Sequence, residues 1–284
     1  SMMTSVERAM AYTQLDVEPG YLQESRPSEN WPEEGKISFE GVSQVYYEGG
    51  PTVLRDITFN VDSRQKIGIA GRTGAGKSSL VAALMRMPQP KGRIVIDGID
   101  ISHINLTSLR RAISVIPQDP VLFRGSLRRN IDPVGKSCDA AIWQLLEDVH
   151  LNERVWNLPQ QLDYELTDGG NNFSVGERQL ICLARALLQG NKIIVLDEAT
   201  ANVDYTTDHL IQETIREKFK ECTVLTIAHR VNTILDYDRV LVLDQGEVVE
   251  YDAPAVLLGR KDGWFAKLCR NATQVHNGIK EQQS

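Results

Sequence analysis

Residues 66–87 read KIGIAGRTGAGKSSLVAALMRM, and three local structures follow one another in this stretch. The run from Lys66 to Ala70 is short and apolar, which predicts a buried strand, and Ser79 to Met87 carry apolar residues at helical spacing. The segment from Gly71 to Ser78 lies between them and is rich in glycine. A strand, a glycine-rich loop and a helix in this order are typical of sites that bind phosphate through backbone N–H groups.

The glycine-rich segment matches the phosphate-loop pattern GxxxxGK followed by Ser or Thr. In such a loop, backbone N–H groups turn toward the phosphates, the lysine (Lys77) neutralises their charge, and the hydroxyl (Ser78) reaches Mg²⁺. The positive end of the following helix adds to the attraction. We predict a nucleoside triphosphate site here, against the alternative of an ordinary glycine-rich turn. The residues predicted to contact the triphosphate are Gly71, Arg72, Thr73, Gly74, Ala75, Gly76, Lys77, Ser78 and Ser79.

Two adjacent acids, Asp197 and Glu198, close the apolar run from Ile193 to Leu196. A buried strand would place both at the carboxyl edge of a sheet, where ligands bind in α/β folds. Asp197 is predicted to hold Mg²⁺ through water, and Glu198 to polarise an attacking water as general base. The alternative is an acidic loop that only caps the segment from Ala199 to Val203.

Elsewhere, short apolar runs alternate with amphipathic segments. Buried strands are predicted at Ile193 to Leu196, Val224 to Ile227 and Val240 to Leu243. Helices are predicted at Asp139 to Val149, Ser174 to Leu188 and Thr207 to Phe219. Half-buried strands are predicted at Ile37 to Tyr46 and Val53 to Val61, and a hairpin through Gln245 and Gly246. This pattern predicts an α/β fold with a mixed, largely parallel sheet.

Composition excludes several classes of protein. The 284 residues are 42% apolar, which fills a large core and excludes disorder throughout. A formal charge of −7 disfavours nucleic acid as a partner. No apolar run approaches the ~20 residues that cross a bilayer. The four cysteines form no CxxC pair, which predicts reduced thiols and no zinc site.

A third motif, Phe173-Ser174-Val175-Gly176-Glu177-Arg178-Gln179, opens the predicted helix that precedes the paired acids. It resembles the signature motif of the ATP-binding-cassette family. The family's other motifs are matched in order by Gln118 within residues 116–119, Asp204 within residues 201–204 and His229 within residues 227–230. The resemblance runs from about Lys36 to Arg270, and it is strongest to the second nucleotide-binding domain of the C-subfamily, the multidrug-resistance-associated exporters.

The resemblance implies a domain organisation. Residues 1–35 would be a linker from a preceding transmembrane region, with Ser1 a cloning remnant, and the linker is expected to hold no core element. Residues 36–270 would be the nucleotide-binding domain, and residues 271–284 a polar, loose tail. The domain would be a P-loop ATPase core with an N-terminal antiparallel β subdomain and an inserted helical subdomain at about residues 126–190.

The resemblance also implies residues that hold the nucleotide and the metal. Tyr46, at the end of the first strand, would stack on adenine, with Tyr47 as a rival and an ordinary strand tyrosine as the alternative. Gln118 would complete the Mg²⁺ shell beside Ser78 and Asp197 and would sense the γ-phosphate. Outside the resemblance, a glutamine that follows a proline is only a turn residue.

The implied catalytic residues are Lys77, Glu198 and His229. Lys77 and Mg²⁺ would hold developing charge while Glu198 orients the water. His229 would hydrogen-bond the γ-phosphate and position the water or Glu198, although without the resemblance it could equally be a core histidine. Asp204 would contact a facing subunit.

In this family two domains pack head to tail, so each ATP lies between the phosphate loop of one domain and the signature of the other. Ser174, Val175, Gly176 and Glu177 would therefore face a partner's ATP through free N–H groups at the start of a helix. Ser174 and Glu177 also fit a capping box, which would begin the helix without any ligand. Both interpretations can hold together.

The signature departs from the family's fullest form, Leu-Ser-Gly-Gly-Gln, at Phe173, Val175 and Glu177. A carboxylate near a partner's triphosphate is unfavourable unless it is paired, and Arg178 is the candidate partner. We predict a weaker site at this signature, and a competent one on the chain's own phosphate loop if a partner supplies a good signature.

The leading hypothesis is a soluble domain that hydrolyses ATP with Mg²⁺ at the cytoplasmic face of a membrane, as the motor of an exporter. Its partners would be a second nucleotide-binding domain and the transmembrane domains, and the isolated domain would be monomeric without ATP. One alternative is a regulatory cassette that gates with little hydrolysis, against which Glu198 argues. Another is a soluble cassette ATPase of translation or DNA repair, which the net charge disfavours.

Overall fold

The computed structural model describes residues 17–197 and 203–281, with side chains described as far as residue 272. The strands are β1 (Ile37–Val45), β2 (Thr52–Val61), β3 (Lys66–Ala70), β4 (Lys91–Ile96), β5 (Ile99–Asp100), β6 (Ile113–Ile116), β7 (Gly125–Ser126), β8 (Glu165–Leu166), β9 (Ile193–Asp197), β10 (Thr223–Ile227), β11 (Arg239–Asp244) and β12 (Glu247–Asp252). The α-helices are α1 (Lys77–Leu84), α2 (Leu106–Ala112), α3 (Leu127–Ile131), α4 (Asp139–Asp148), α5 (Asn152–Trp156), α6 (Val175–Gln189), α7 (Tyr205–Lys218), α8 (Pro254–Leu258) and α9 (Trp264–Glu281). Short 3-10 helices lie at Ile101–His103, Gln161–Asp163 and Val231–Ile234.

A six-stranded sheet forms the centre of the molecule, in the order β12-β11-β3-β10-β9-β6. The strands from β11 to β6 in this order are parallel, and β12 is the antiparallel edge strand beside β11. The three predicted buried strands are confirmed as β9, β10 and β11, each one or two residues longer than predicted. The hairpin through Gln245 and Gly246 is confirmed as the β11–β12 turn.

Alternate residues of the central strands face two separate cores. Ile193 and Val195 of β9 pack in the same core as α1 and the antiparallel sheet. Ile194 and Leu196, which point to the opposite face, pack in the same core as α6 and α7. Because successive strand residues alternate between faces, apolar residues at every position are what a sheet covered on both sides requires.

A second, antiparallel sheet has the order β2-β1-β4-β5, and the rings of Phe39 and Phe59 stack in it with centroids 4.6 Å apart. It confirms the antiparallel piece predicted ahead of the phosphate loop. The first strand ends at Val45, so the prediction that Tyr46 lies on it is wrong by one residue. The strands β4 and β5 were not predicted, because β4 begins with three exposed residues and β5 is two residues long.

The chain between β6 and β9 forms a mainly helical unit around α6. Buried residues of α3 and α4, among them Leu127, Ile131, Ile142 and Leu146, share one core with the apolar face of α6. The predicted helices at 139–149 and 174–188 correspond to α4 and α6. The boundaries of the helical subdomain, about 126–190, stay a prediction.

Residues 17–35 pack against the domain, and one of them is part of its core. Trp31 is only 9% exposed, and its Nε1–H donates to the Ile96 carbonyl at 3.0 Å. The Asn105 side chain donates to two main-chain carbonyls of the segment, at 3.0 and 2.8 Å. The prediction of a stretch without core residues is therefore wrong at Trp31, because a single aromatic residue among prolines and acids carries no periodic signal. Residues 1–16 lie outside the described part of the chain.

Helix α9 runs from Trp264 to Glu281, with Phe265 and Ala266 buried against the domain. A loose tail was expected from Asn271 onward. This expectation is wrong for residues 271–281, because the helix that begins at Trp264 continues to Glu281. Across residues 17–197 and 203–281, no helix combines the length and the apolar character that crossing a membrane requires.

We expect Trp31→Ala to lower the free energy of unfolding by about 3 kcal/mol, since it removes a large buried ring and leaves the Ile96 carbonyl without its donor. Trp156 is 64% exposed and provides the matched control. Its alanine variant should cost about 1 kcal/mol or less. Urea denaturation of both variants measures the difference. Equal losses would contradict the packing of Trp31 in the core.

Candidate functional site

The segments that carry the predicted site residues leave the central sheet at one edge. Ile69 of β3 is paired with Ile227 of β10, and Ile227 is paired with Asp197 of β9. Strand β6 continues the parallel row beside β9. The phosphate loop, Asp197, His229 and Gln118 therefore follow the carboxyl ends of four adjacent strands, which is where α/β folds bind ligands.

The phosphate loop depends on left-handed backbone at its glycines. Gly74 has φ 80° and Gly76 has φ 107°. A Cβ at Gly71 would lie 2.4 Å from the Leu243 carbonyl oxygen, and a Cβ at Gly76 would lie 2.9 Å from Cδ2 of Leu54. Gly76 is the N-cap of α1 and offers no side chain to its N–H groups, which stay open toward the loop.

Lys77 holds its ammonium group inside this loop. Its Nζ donates to the carbonyl oxygens of Gly71 at 2.8 Å and Arg72 at 3.1 Å. Partial burial lowers the pKa of Lys77, and the nearby Asp197 carboxylate opposes that shift. A cation beside the open N-terminus of a helix is suited to bind an anion.

The β11–β12 turn packs against the phosphate loop and is hydrogen-bonded to it. The Gly246 N–H donates to the Ala75 carbonyl at 3.0 Å, and the Arg55 N–H donates to the Gly246 carbonyl at 2.8 Å. A Cβ at Gly246 would lie 2.3 Å from the Val53 carbonyl oxygen. The sequence predicted only a hairpin turn here, whereas the structure makes it a support of the site.

A cavity of about 590 Å³ opens over the loop, within the size range of small-molecule sites. It is lined by Thr52, Val53, Arg55, Thr73, Gly74, Gly76, Lys77, Ser78, Ser79, Ile227, His229 and Gln245. Four of these residues lie outside every predicted site motif: Thr52, Val53, Arg55 and Gln245. No local motif marks these residues, because only the packing of β2 and the β11–β12 turn against the loop brings them there.

Tyr46 and Tyr47 both follow β1, and the structure separates them. The Tyr46 hydroxyl is hydrogen-bonded to Oγ of Ser79 at 2.8 Å, and the residue is 48% exposed. The Tyr47 ring packs against its own turn, where a Cβ at Gly50 would lie 2.9 Å from it. Of the two rivals, Tyr46 is the one beside the phosphate loop, and its stacking on adenine stays a prediction.

Asp197 and His229 lie within reach of each other, with Oδ1 of Asp197 3.3 Å from Nε2 of His229. Both are partly exposed at the carboxyl edge of the sheet. His229 is therefore not a buried core histidine. Glu198 lies outside the described residues, together with residues 199–202, so its assignment as general base stays a prediction.

The oxygen donors at this edge have the chemistry that Mg²⁺ prefers. Ser78 offers a hydroxyl, Gln118 an amide oxygen and Asp197 a carboxylate, and Mg²⁺ binds such hard ligands together with water and substrate phosphates. Across residues 17–197 and 203–281, no cluster of three or more His, Cys, Asp or Glu side chains could hold a metal. Ser78, Gln118 and Asp197 thus fit a divalent cation that also binds the phosphates of a nucleotide.

The signature segment begins α6 with a capping box. Oγ of Ser174 accepts the Glu177 N–H at 3.1 Å, and Oε2 of Glu177 accepts the Ser174 N–H at 2.8 Å. The capping-box interpretation is confirmed. This contact orders the first turn of α6 whether or not a ligand faces it.

Glu177 is paired with Arg154, and the prediction of Arg178 as its partner is wrong. Nε of Arg154 donates to Oε1 of Glu177 at 3.0 Å. Arg178 donates instead to the Gly169 carbonyl and to Oδ1 of Asp119, each at 3.0 Å. Adjacent residues on a helix point in different directions, which prevents Glu177 and Arg178 from meeting.

The sequence of this chain matches a known protein family. The family model described as ABC transporter matches residues 54–201. The chain belongs to the ABC transporter family. The predicted α/β architecture, with its largely parallel sheet and antiparallel β subdomain, is confirmed for this ABC domain.

Relatives of this ABC domain include C-subfamily proteins, as predicted. It is 52% identical to human "ATP-binding cassette sub-family C member 4" over 268 residues, which are 94% of this chain and 20% of the relative. It is 52% identical to "Multidrug resistance protein mrp-7" of Caenorhabditis elegans over 274 residues, or 96% of this chain and 18% of the relative. The chain thus spans about a fifth of the length of these curated relatives.

A solved structure shares the fold of this ABC domain. The structure of a bacterial Atm1-family ABC exporter with ATP bound has a TM-score of 0.87 and 31% sequence identity to it. The similarity covers 95% of this chain and 47% of the exporter chain.

In this ABC domain the signature glycine packs on the start of α7. A Cβ at Gly176 would lie 2.4 Å from Cγ2 of Thr207 and 3.0 Å from Cγ1 of Val203. The Asp204 carboxylate caps α7 by accepting the Thr207 N–H at 2.9 Å and the Thr207 hydroxyl at 2.7 Å, which lowers the pKa of Asp204. This cap was not predicted, and the contact of Asp204 with a facing subunit stays a prediction.

We expect Gly176→Ala to lower the free energy of unfolding by about 2 kcal/mol, because its methyl group would overlap Thr207. Thr207→Ser removes the overlapping methyl group but keeps the hydroxyl that donates to Asp204, so the double variant should recover most of the loss. Chemical denaturation measures all three variants. Gly259→Ala, where a Cβ meets no atom closer than 3.4 Å, is the matched control and should be close to neutral. A Gly176→Ala variant as stable as this control would contradict the packing described.

Proposed function

We propose that this chain binds and hydrolyses ATP as a nucleotide-binding domain of a C-subfamily exporter. The observation that carries the proposal is the convergence of the Lys77 loop, Asp197 and His229 on one edge of the central sheet. The fold similarity to an ABC exporter with ATP bound supports it. In this proposal the domain is the ATP-driven motor at the cytoplasmic face of the membrane.

The phosphate loop would hold the triphosphate through its backbone. The N-terminus of α1, which has no side-chain cap, and the Lys77 ammonium inside the loop would supply positive potential for the phosphates. Tyr46, anchored by its hydrogen bond to Ser79, would offer its exposed ring to the adenine. The cavity of about 590 Å³ over the loop supports a ligand of this kind.

Ser78, Gln118 and Asp197 would hold the Mg²⁺ ion that accompanies the nucleotide, with Asp197 acting through water. When bound, Mg²⁺ neutralises charge on the phosphate oxygens. Gln118 lies exposed just beyond β6 and would also sense the γ-phosphate.

Hydrolysis would be an in-line attack of water on the γ-phosphorus. Glu198 would orient the water and accept its proton, and Lys77 would stabilise the charge that develops on the phosphate oxygens. His229 would donate a hydrogen bond to the γ-phosphate. Its contact with Asp197 places the imidazole at the carboxyl edge of the sheet, beside a predicted Mg²⁺ ligand, and this supports the position.

The ATP would lie between two domains packed head to tail. The signature residues Ser174 to Glu177 would face the ATP on the phosphate loop of the partner domain, and the partner's signature would complete the site on this chain. This chain covers only 18–20% of the length of its curated relatives. The remaining length supports the presence of partner domains in such proteins, namely a second cassette and the transmembrane helices.

Lys77→Ala tests the nucleotide site. We expect the Kd for ATP to rise at least a hundredfold, about 2.7 kcal/mol, because the variant removes the charge inside the loop. Titration of a fluorescent ATP analogue measures it. Lys91→Ala, which removes an exposed lysine at the start of β4, is the control and should bind like the unmodified chain. Tight binding by the Lys77 variant would contradict the proposed site.

Glu198→Gln tests the chemistry. We expect it to retain ATP while turnover falls at least a hundredfold, because an amide cannot accept the proton of water. Phosphate release should be followed as a function of protein concentration. Specific activity that rises with concentration and vanishes in the variant supports a site shared by two copies. Normal turnover by the Gln variant would exclude Glu198 as general base, and ATP-driven association without phosphate release would favour a gating cassette.

A further inference from the structure

We propose that Arg154 is a positioning residue that makes the acidic signature of this chain able to face a triphosphate. The inference rests on the proposed function, since it concerns the ATP held by the facing domain. It assigns a function to a residue of α5, outside every motif of the sequence, and it is specific to a signature that carries Glu177.

Arg154 is held on two sides. Its Nε donates to Oε1 of Glu177 at 3.0 Å, and its guanidinium carbon lies 5.5 Å from the centroid of the Phe173 ring. Phe173 is buried at the start of the signature and Glu177 lies in the first turn of α6. A planar guanidinium can stack on a ring and pair with a carboxylate at the same time, which an ammonium does less well.

The second carboxylate oxygen of Glu177 is also engaged, because it accepts the Ser174 N–H at 2.8 Å. The Glu177 side chain is therefore held within the signature, and it cannot change rotamer without breaking the capping box. Its negative charge lies at the helix N-terminus that the proposed function turns toward a phosphate. Two negative groups there repel unless a cation neutralises one of them.

Arg154 is the cation that the structure supplies. Arg178, next to Glu177 in sequence, is already engaged by Asp119 and by the Gly169 carbonyl. The Arg154 side chain is 44% exposed, so its pairing with Glu177 contributes little to the stability of the domain. Arg154 instead changes the electrostatic potential at the place where a facing phosphate would bind. Loss of Arg154 should therefore weaken association with a facing domain more than it lowers the stability of the domain.

A double-mutant cycle tests the proposal: the unmodified chain, Arg154→Gln, Glu177→Gln and the double variant, which has the same net charge as the unmodified chain. Sedimentation velocity measures the self-association of each chain with the β,γ-imido analogue of ATP and Mg²⁺, which does not depend on hydrolysis. Glutamine at position 177 keeps the capping box, since Gln and Glu both serve at that position. Arg154→Lys keeps the charge and is the conservative control.

We expect Arg154→Gln to raise the dissociation constant of the analogue-bound dimer at least tenfold, the effect of an uncompensated charge beside an anion near a surface. The defect should shrink in high salt, because screening weakens the repulsion. Glu177→Gln should associate at least as well as the unmodified chain. The double variant should match Glu177→Gln, and Arg154→Lys should retain most of the association.

Two results would overturn the proposal. One is an Arg154→Gln chain that associates like the unmodified chain. The other is a double variant as defective as Arg154→Gln alone, which would mean that Arg154 acts only through its packing on Phe173. Failure of the proposed function gives a different result. In that case none of the chains, Glu177→Gln included, binds the analogue, even as a monomer. If every chain binds the analogue but none associates, the role of Arg154 is overturned while the nucleotide site on this chain stands.

Discussion

Parallel pairing of β3 with β10, and of β10 with β9, is the constraint on which the candidate site depends. It sends the phosphate loop, Asp197 and the His229 loop out of the sheet side by side, although more than a hundred residues separate the phosphate loop from the other two along the chain. A strand shifted by one residue would turn its side chains to the opposite core. Burial on both faces therefore holds the register, and the register holds the site.

The helices α1, α6 and α7 differ in how their first N–H groups are capped. Helix α1 begins at Gly76 with no side-chain cap, which leaves its N–H groups open to a ligand. Helix α6 begins with the reciprocal contacts of Ser174 and Glu177, and α7 begins with the Asp204 carboxylate. The uncapped helix is the one preceded by the glycine-rich loop. A helix start without its own cap is the kind that gains most from a bound anion.

The net charge of −7 describes the chain as a whole and not the surfaces that would meet phosphate. Asp197 lies close enough to Lys77 to affect its pKa, and Glu177 is paired with Arg154. Acids are thus matched by cations where an anion is expected. Because charge interactions are screened over about 8 Å in physiological salt, these local pairs outweigh the sum over the molecule.

The sequence alone determined the features that repeat at short range. Short runs of four residues identified β9, β10 and β11, the glycine spacing identified the phosphate loop, and Ser174 with Glu177 identified the start of α6. Only the tertiary structure decided that Trp31 is a core residue, that Tyr46 rather than Tyr47 lies beside the loop, and that Glu177 is paired with Arg154. Local patterns report periodicity and turn chemistry, whereas these contacts join residues such as Arg154 and Glu177, 23 positions apart, or Trp31 and Ile96, 65 positions apart. Such contacts form only when separate elements pack, and no local pattern encodes which side chains the packing brings together.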